Sequence, residues 1–280
     1  MMSAVMTAVT SAVTSTVTLP GGIPLDLLLP ALCAGVLVMA THIPFGLQVL
    51  ERGIIFIDLA IAQVAGLGAY LVLFALGDDA SQVWVQVGAV MLALLASWML
   101  VATERLTARF QEPVIGIVFA LSATAIMLLL ARDPHGGQHL ADLLSGQILW
   151  VSSRQLEYSA WATAGLLLLM VLLRRRRAAF YSLFAMAITV SVQLVGVYLV
   201  FATLIIPALS TVRLGTVKRR LVMGYVTALV GYSLGLVGSA WTDLPTGPLV
   251  VWTLAAAGVL MFTLSCVTGR SGMAARGRPD

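Results

Sequence analysis

The chain has 280 residues, of which 60% are hydrophobic and only 10% are charged, and its mean hydropathy is +1.01. Soluble globular chains carry roughly 25% charged residues, so this composition excludes an ordinary water-soluble domain. The formal charge of +4 comes from short basic clusters between long apolar runs, a pattern that reports membrane orientation rather than nucleic-acid binding.

Eight apolar runs follow an uncharged N-terminal lead-in over residues 1–25. A helix needs about 20 residues to cross a bilayer, and helices satisfy their backbone groups within one segment. The runs are Leu27–Leu50, Gly53–Gly77, Ala80–Thr103, Pro113–Ala131, Tyr158–Leu173, Ala178–Val212, Leu221–Thr242 and Leu244–Gly269. The sequence therefore predicts an all-α, polytopic membrane protein with a transmembrane domain over 26–269 and a cytoplasmic tail over 270–280.

The run Ala178–Val212 is too long for one crossing and short for two. If it crosses once, the two membrane faces carry seven and nine of the 16 Lys and Arg residues. If it enters and returns, the faces carry fourteen and two. Short loops rich in Lys and Arg face the cytoplasm, so the second count is preferred. The run is predicted to be a broken hairpin, with a helix to about Val195, a reversal near Gly196 and a return ending near Pro207.

This topology predicts an N-terminus outside the cell and a C-terminus in the cytoplasm. Irregular backbone at membrane depth is tolerated only where it is buried in protein or lines a cavity. A translocation path is therefore expected at the break and along the polar positions of the second helix. The candidate path residues are Asp58, Gln63, Gln193, Tyr198, Thr203 and Pro207.

Asp58 is the most informative of these residues, because an ionisable group within a span usually marks an ion path. It is expected about one turn inside the second helix. The alternative is a carboxylate at the membrane interface, close enough to pair with Arg52. Gln63 and Gln193 have their own alternative, since buried amides commonly hydrogen-bond between helices. His42, beside Pro44, is interpreted as a polar residue near a helix end.

The outward loop 132–142 carries two histidines and two aspartates, His135, His139, Asp133 and Asp142. Imidazole and carboxylate ligands together suit zinc and similar cations, so this loop is a candidate metal site at an entrance. The intervening Gly136 and Gly137 favour a flexible turn, and a hydrophilic loop without metal is the alternative.

No catalytic motif is present: the chain lacks His-Glu-x-x-His, Gly-x-Ser-x-Gly and the phosphate-binding Gly-x-x-x-x-Gly-Lys-Ser/Thr. The sequence therefore predicts a protein that is not an enzyme and that binds no stable cofactor. Any ATP hydrolysis must be performed by a separate chain.

Five stretches, in order from Leu27 to Cys266, resemble the zinc/manganese permeases of ABC transporters, the ABC-3 family. The opening residues of the five stretches are, in order, Gly53-Ile-Ile-Phe-Ile-Asp-Leu-Ala, Glu112-Pro-Val-Ile-Gly, Asp142-Leu-Leu-Ser-Gly-Gln-Ile-Leu-Trp, Gln193-Leu-Val-Gly-Val-Tyr-Leu-Val-Phe-Ala-Thr and Asp243-Leu-Pro-Thr-Gly-Pro. The resemblance implies a permease fold of the type II importer kind that carries a divalent metal, zinc first and manganese second.

The same resemblance implies three associations: a homodimer, a cytoplasmic ABC ATPase and an extracytoplasmic metal-binding protein. It further implies that the segment 208–220 docks on the ATPase, with Arg213, Lys218, Arg219 and Arg220 as the coupling residues. The charge count independently places this segment on the cytoplasmic face.

One departure from the family concerns the second helix, which usually reads Asp-Ala-Leu-Ser-His. Here Ala62 or Gln63 occupies the place of the histidine, depending on the alignment. Oxygen ligands alone suit harder cations, which leaves the metal open. Two other carriers remain as alternatives: a permease for a metal chelate, and an ion-coupled secondary transporter with Asp58 as its proton site.

Overall fold

The computed structural model describes residues 18–19, 23–77, 80–107, 110–131, 146, 148–173 and 177–276. Its helices are α1 (Leu25–Arg52), α2 (Ile57–Leu76), α3 (Gln82–Thr107), α4 (Gln111–Leu130), α5 (Ser153–Leu172), α6 (Arg177–Val195), α7 (Val197–Ser210), α8 (Val217–Thr242) and α9 (Thr246–Arg276). A short 3-10 turn, Ile148–Trp150, precedes α5. The lead-in contains a small antiparallel pair, β1 (Thr18–Leu19) with β2 (Ile23–Pro24).

Seven helices in the described part of the chain are long and apolar enough to cross a membrane, namely α1 to α5, α8 and α9. The helices α6 and α7 form a bent pair. If the pair is counted as a single span, the total rises to eight. This arrangement confirms the predicted all-α, polytopic membrane fold.

The second span begins at Ile57 rather than at Gly53. Gly53 adopts a left-handed conformation with φ of +69°, which ends α1 and starts a short turn. A left-handed glycine just after the last helical residue is a common helix terminator. The apolar run therefore starts before the helix does, because hydropathy does not mark the turn.

The predicted reversal lies at Gly196, where α6 and α7 differ in direction by 120°. Gly196 has φ of +81°, yet its amide donates to the Val192 carbonyl at 2.8 Å and its carbonyl accepts from Val200 at 3.1 Å. Only one residue lies outside the two helices, and its backbone groups are hydrogen-bonded. The reversal therefore fits the apolar surroundings of a membrane protein.

The sequence predicted that the return helix ends near Pro207. In the structure α7 continues three residues further, to Ser210. Pro207 lies inside α7, where proline removes one backbone hydrogen bond. The hydroxyls of Ser210 and Thr211 both donate to the Pro207 carbonyl at 2.9 Å, which satisfies this acceptor at the end of the helix. These local bonds support the last turn beyond the proline.

The chain divides into two compact units. The first comprises Met1–Leu47, Gln147–Ala160 and Ala202–Asp280, and the second comprises Gln48–Gly146 and Trp161–Phe201. In the first unit, α8 and α9 pack so closely that a Cβ added at Gly231 would lie 2.7 Å from the Leu254 Cα. In the second unit, α2 packs against α3, α4 and α6.

Gly146, in the second unit, lies directly against the reversal. It has φ of +64°, and a Cβ at this position would overlap the backbone of Val195 and Gly196. The segment before α5 therefore approaches the bend more closely than any residue with a side chain allows.

We predict that Gly146→Ala destabilises the protein more than Gly53→Ala. Both glycines have positive φ angles of similar size, +64° and +69°, but a Cβ at Gly53 meets nothing within 4 Å. The left-handed conformation should cost each variant about 1–2 kcal/mol. Overlap with the bend should add about 1–3 kcal/mol at Gly146 alone. Unfolding in detergent, followed by circular dichroism, measures both variants, and equal losses would contradict the close contact.

Candidate functional site

Asp58 lies in the first turn of α2, as its second residue, and not a full turn inside the helix as expected. Its side chain is 1% exposed. The backbone amides of Asp58 and Leu59 lie close to the carboxyl group, but neither oxygen makes a well-formed hydrogen bond among the described residues. Asp58 is thus a buried carboxylate at the start of a membrane span.

Arg52 does not neutralise this carboxylate. Its guanidinium lies over the ring of Phe180, 3.9 Å from the ring centre, in a cation–π contact. No described residue forms an ion pair with Asp58. The expected alternative, an interfacial pair of Asp58 with Arg52, is therefore not what the structure shows.

A second carboxylate, Glu112, reaches the same helix start. It lies in the first turn of α4, and its Oε1 accepts a hydrogen bond from the Phe56 amide at 3.2 Å. Phe56 is the N-cap residue of α2, and Glu112 interacts electrostatically with Asp58. The other oxygen, Oε2, is buried without a hydrogen-bond partner among the described residues.

The start of α4 is held against α3 by an amide side chain. The buried Gln111 donates from Nε2 to the Leu100 carbonyl at 3.0 Å. Its Oε1 accepts from the Thr103 hydroxyl at 3.3 Å. These bonds fix the first turn of α4 and, with it, the adjacent Glu112.

Two helix N-termini therefore lie beside two carboxylates, those of Asp58 and Glu112. The dipole of a helix N-terminus stabilises a carboxylate by about 0.3–1 kcal/mol and at best by about 2 kcal/mol. Burying an ion costs several kcal/mol, even after the protein relaxes. The dipoles alone do not offset that penalty for both groups. The arrangement is suited to accepting a positive charge.

The remaining path candidates of the second unit lie apart from this helix start. Gln63 is buried and lies more than one helical turn beyond Asp58 in α2. Gln193 and Tyr198 flank the reversal at Gly196, on the last turn of α6 and the first turn of α7, and both are exposed. Within the second unit, Asp58 therefore lies at the start of α2, Gln63 lies further along the same helix, and Gln193 and Tyr198 lie at the bend.

Thr203 and Pro207 belong to the first unit. The Thr203 hydroxyl and the Tyr232 hydroxyl are 2.7 Å apart, and both side chains are fully buried. The same Tyr232 ring packs against Gly35. In this structure the Thr203 hydroxyl joins α7 to α8 within the packed interior.

His42 also lies in the first unit, ten residues before the end of α1 and not at a helix end. Its imidazole is fully buried, and Nδ1 is 2.9 Å from the Val38 carbonyl. The Nε2 atom has no hydrogen-bond partner among the described residues. His42 is therefore a buried polar residue inside α1. The sequence placed it near a helix end because of Pro44, but Pro44 also lies inside the helix.

The basic segment after α7 forms an exposed turn that leads into α8. Thr216 caps α8 by accepting from the Arg219 amide at 3.3 Å. The Arg213 guanidinium lies 5.1 Å from the centre of the Phe262 ring, which ties the turn to α9. Arg213, Lys218 and Arg219 are exposed, and Arg220 is half-buried.

The candidate entrance residues His135, His139, Asp133 and Asp142 lie outside the described residues. Within the described ranges, no three His, Cys, Asp or Glu side chains are grouped closely enough to hold a metal ion. The carboxylates of Asp58 and Glu112 therefore remain the principal charged feature of the described spans.

Comparison with solved structures gives a fold relative. The chain resembles PsaBC from Streptococcus pneumoniae, solved in complex with a Fab, with a TM-score of 0.68. The identity is 21%, and the match covers 84% of this chain and 91% of that chain. At this identity the likeness establishes the fold alone.

No curated protein matches the sequence. A family comparison does match it, over residues 24–180 and 174–265, which together span most of the chain. Together with the membrane helices and the bent pair, this places the protein as a membrane-embedded transporter subunit. The chain belongs to the ABC 3 transport family, as a permease subunit of an ABC transporter.

Proposed function

We propose that the protein is the permease subunit of an ABC importer for a divalent metal ion, zinc first and manganese second. The observation that carries this proposal is Asp58, a buried carboxylate without an ion-pair partner at the start of a span. Ionisable residues inside membrane segments typically mark ion pathways. In a family of ABC permeases, a cation is the substrate that such a residue fits.

Transport is driven by a separate ATPase, because the chain has no phosphate-binding motif. The docking segment is 208–220, with the coupling residues Arg213, Lys218, Arg219 and Arg220. The exposure of Arg213, Lys218 and Arg219 supports a contact with a partner, and the Arg213–Phe262 contact provides a link to α9. Closing and opening of the ATPases then shift the permease between outward-open and inward-open states.

The proposed assembly is a homodimer with the pathway between two copies, served by an extracytoplasmic metal-binding protein. The N-terminus lies outside, the C-terminus lies in the cytoplasm, and the basic loops face inward. The histidines and aspartates of the outward loop, His135, His139, Asp133 and Asp142, would raise the local cation concentration at the entrance. The stable complex contains no cofactor of the permease itself, and ATP is used by the partner.

A second candidate is an ion-coupled secondary transporter, in which Asp58 carries a proton. The same burial of Asp58 favours this candidate. The two hypotheses differ in their energy source, which makes them separable by experiment. A metal-chelate permease differs instead in the size of its substrate.

We predict that vesicles containing the permease and its ATPase take up zinc or manganese only when ATP is supplied. Asp58→Asn should lower uptake about tenfold or more, because it removes the buried charge that attracts the cation. His135→Ala combined with His139→Ala should lower uptake less. Radiolabelled metal accumulation, measured for each ion, gives the rates.

Two outcomes would contradict this prediction. Uptake driven by a proton gradient without ATP would favour the secondary transporter. Full uptake by Asp58→Asn together with loss in the double histidine variant would place selection in the entrance loop. A matched control is Glu157→Gln, which removes a carboxylate from α5, in the other unit.

The proposed orientation yields a second prediction, since α8 must begin in the cytoplasm and end outside. In a background of Cys33→Ser and Cys266→Ser, Lys218→Cys should react with an impermeant maleimide only after the cells are opened. Leu244→Cys should react in intact cells. Both positions are exposed, so accessibility reports the side of the membrane. The reverse pattern would invert the topology and remove the docking role of the basic segment.

A further inference from the structure

We infer that Glu112 is a second cation-binding residue, which acts together with Asp58 at the start of α2. This inference rests on the proposed function, because it concerns the same metal ion. Under the proposed orientation, both residues lie at the cytoplasmic end of their spans. The pair would therefore hold the ion as it leaves the membrane.

The geometry places three carboxylate oxygens at one helix start. Both oxygens of Asp58 and Oε2 of Glu112 are buried and lack hydrogen-bond partners in the described part of the chain. Oε1 of Glu112 is bound to the Phe56 amide, two residues before Asp58. This bond fixes the side chain of Glu112 beside α2 and leaves its second oxygen available. Because Phe56 is the N-cap of α2 and Asp58 is the second residue of that helix, this bond also brings the two carboxylates to the same helix start.

A purely structural role for Glu112 would be to cap α2 through the Phe56 amide. This role uses one oxygen and does not require a charge, since a neutral amide oxygen accepts the same hydrogen bond. It does not account for the buried second oxygen, nor for a like charge beside Asp58. Nearby like charges oppose each other's ionisation unless a cation lies close. A bound cation satisfies both carboxylates at once.

The donor atoms indicate the class of ion. Carboxylate oxygens favour hard divalent cations such as manganese, whereas zinc prefers nitrogen and sulfur in addition to oxygen. The first two turns of α2 act in the same direction, because Ala62 and Gln63 supply no imidazole. Manganese is therefore an ion that this pair of residues suits, and zinc, which binds most sites more tightly than manganese does, should bind there as well.

Glu112→Gln separates the two roles, because glutamine retains the acceptor for the Phe56 amide and removes the charge. The full-length permease in nanodiscs is titrated with manganese(II) alone and with zinc(II) alone. We expect Glu112→Gln and Asp58→Asn each to weaken the binding of both ions about tenfold or more, because each variant removes one of the two carboxylates. The double variant should lose little beyond either single variant, because residues that share one ion are coupled.

The controls distinguish the inference from folding defects and from the proposed function. Thermal unfolding should show Glu112→Gln to be as stable as the parent protein, and Glu157→Gln should bind manganese like the parent. If Glu112→Gln binds manganese like the parent while Asp58→Asn does not, Glu112 is only a helix cap and the inference is wrong. The proposed function is tested separately: it is wrong if the parent complex transports no metal when ATP is supplied.

Discussion

In an apolar environment every backbone group must find its hydrogen bond inside the protein, and this requirement governs the reversal at Gly196. A turn of several residues would leave amides and carbonyls without partners. Here a single left-handed glycine separates two helices, and its amide and carbonyl continue the hydrogen bonding on either side. Gly146 packs directly against this bend, within the same unit. Together these glycines allow a change of direction without exposed backbone.

Charge is handled differently from backbone. Arg52 places its guanidinium on an aromatic ring, whereas Asp58 and Glu112 have oxygens at helix starts that are unpaired in the described part of the chain. Burying such carboxylates without a partner is costly for stability. Their presence in a transport subunit therefore fits a role in handling a cation. Gln111 and Thr103, which hold the first turn of α4, then determine how precisely Glu112 is positioned.

The sequence predicted the membrane spans and the reversal because hydropathy and the distribution of basic residues both depend on the chain alone. It did not predict the end of α7, because the hydroxyls of Ser210 and Thr211 stabilise a turn that Pro207 would otherwise weaken. Nor did it pair Glu112 with the start of α2, since that proximity arises from the packing of two separate helices. Hydropathy identified Asp58 as a carboxylate within a span, but it did not indicate that Glu112 lies beside it.

The contact between α2 and α3 depends on Gly68 and Gly88, where a Cβ on either residue would collide with the facing helix. Backbones that interlock at this distance resist sliding, because any shift along the helix axis brings a side chain into the contact. We therefore expect α2, which carries Asp58 at its start, and α3 to move together in any change of state.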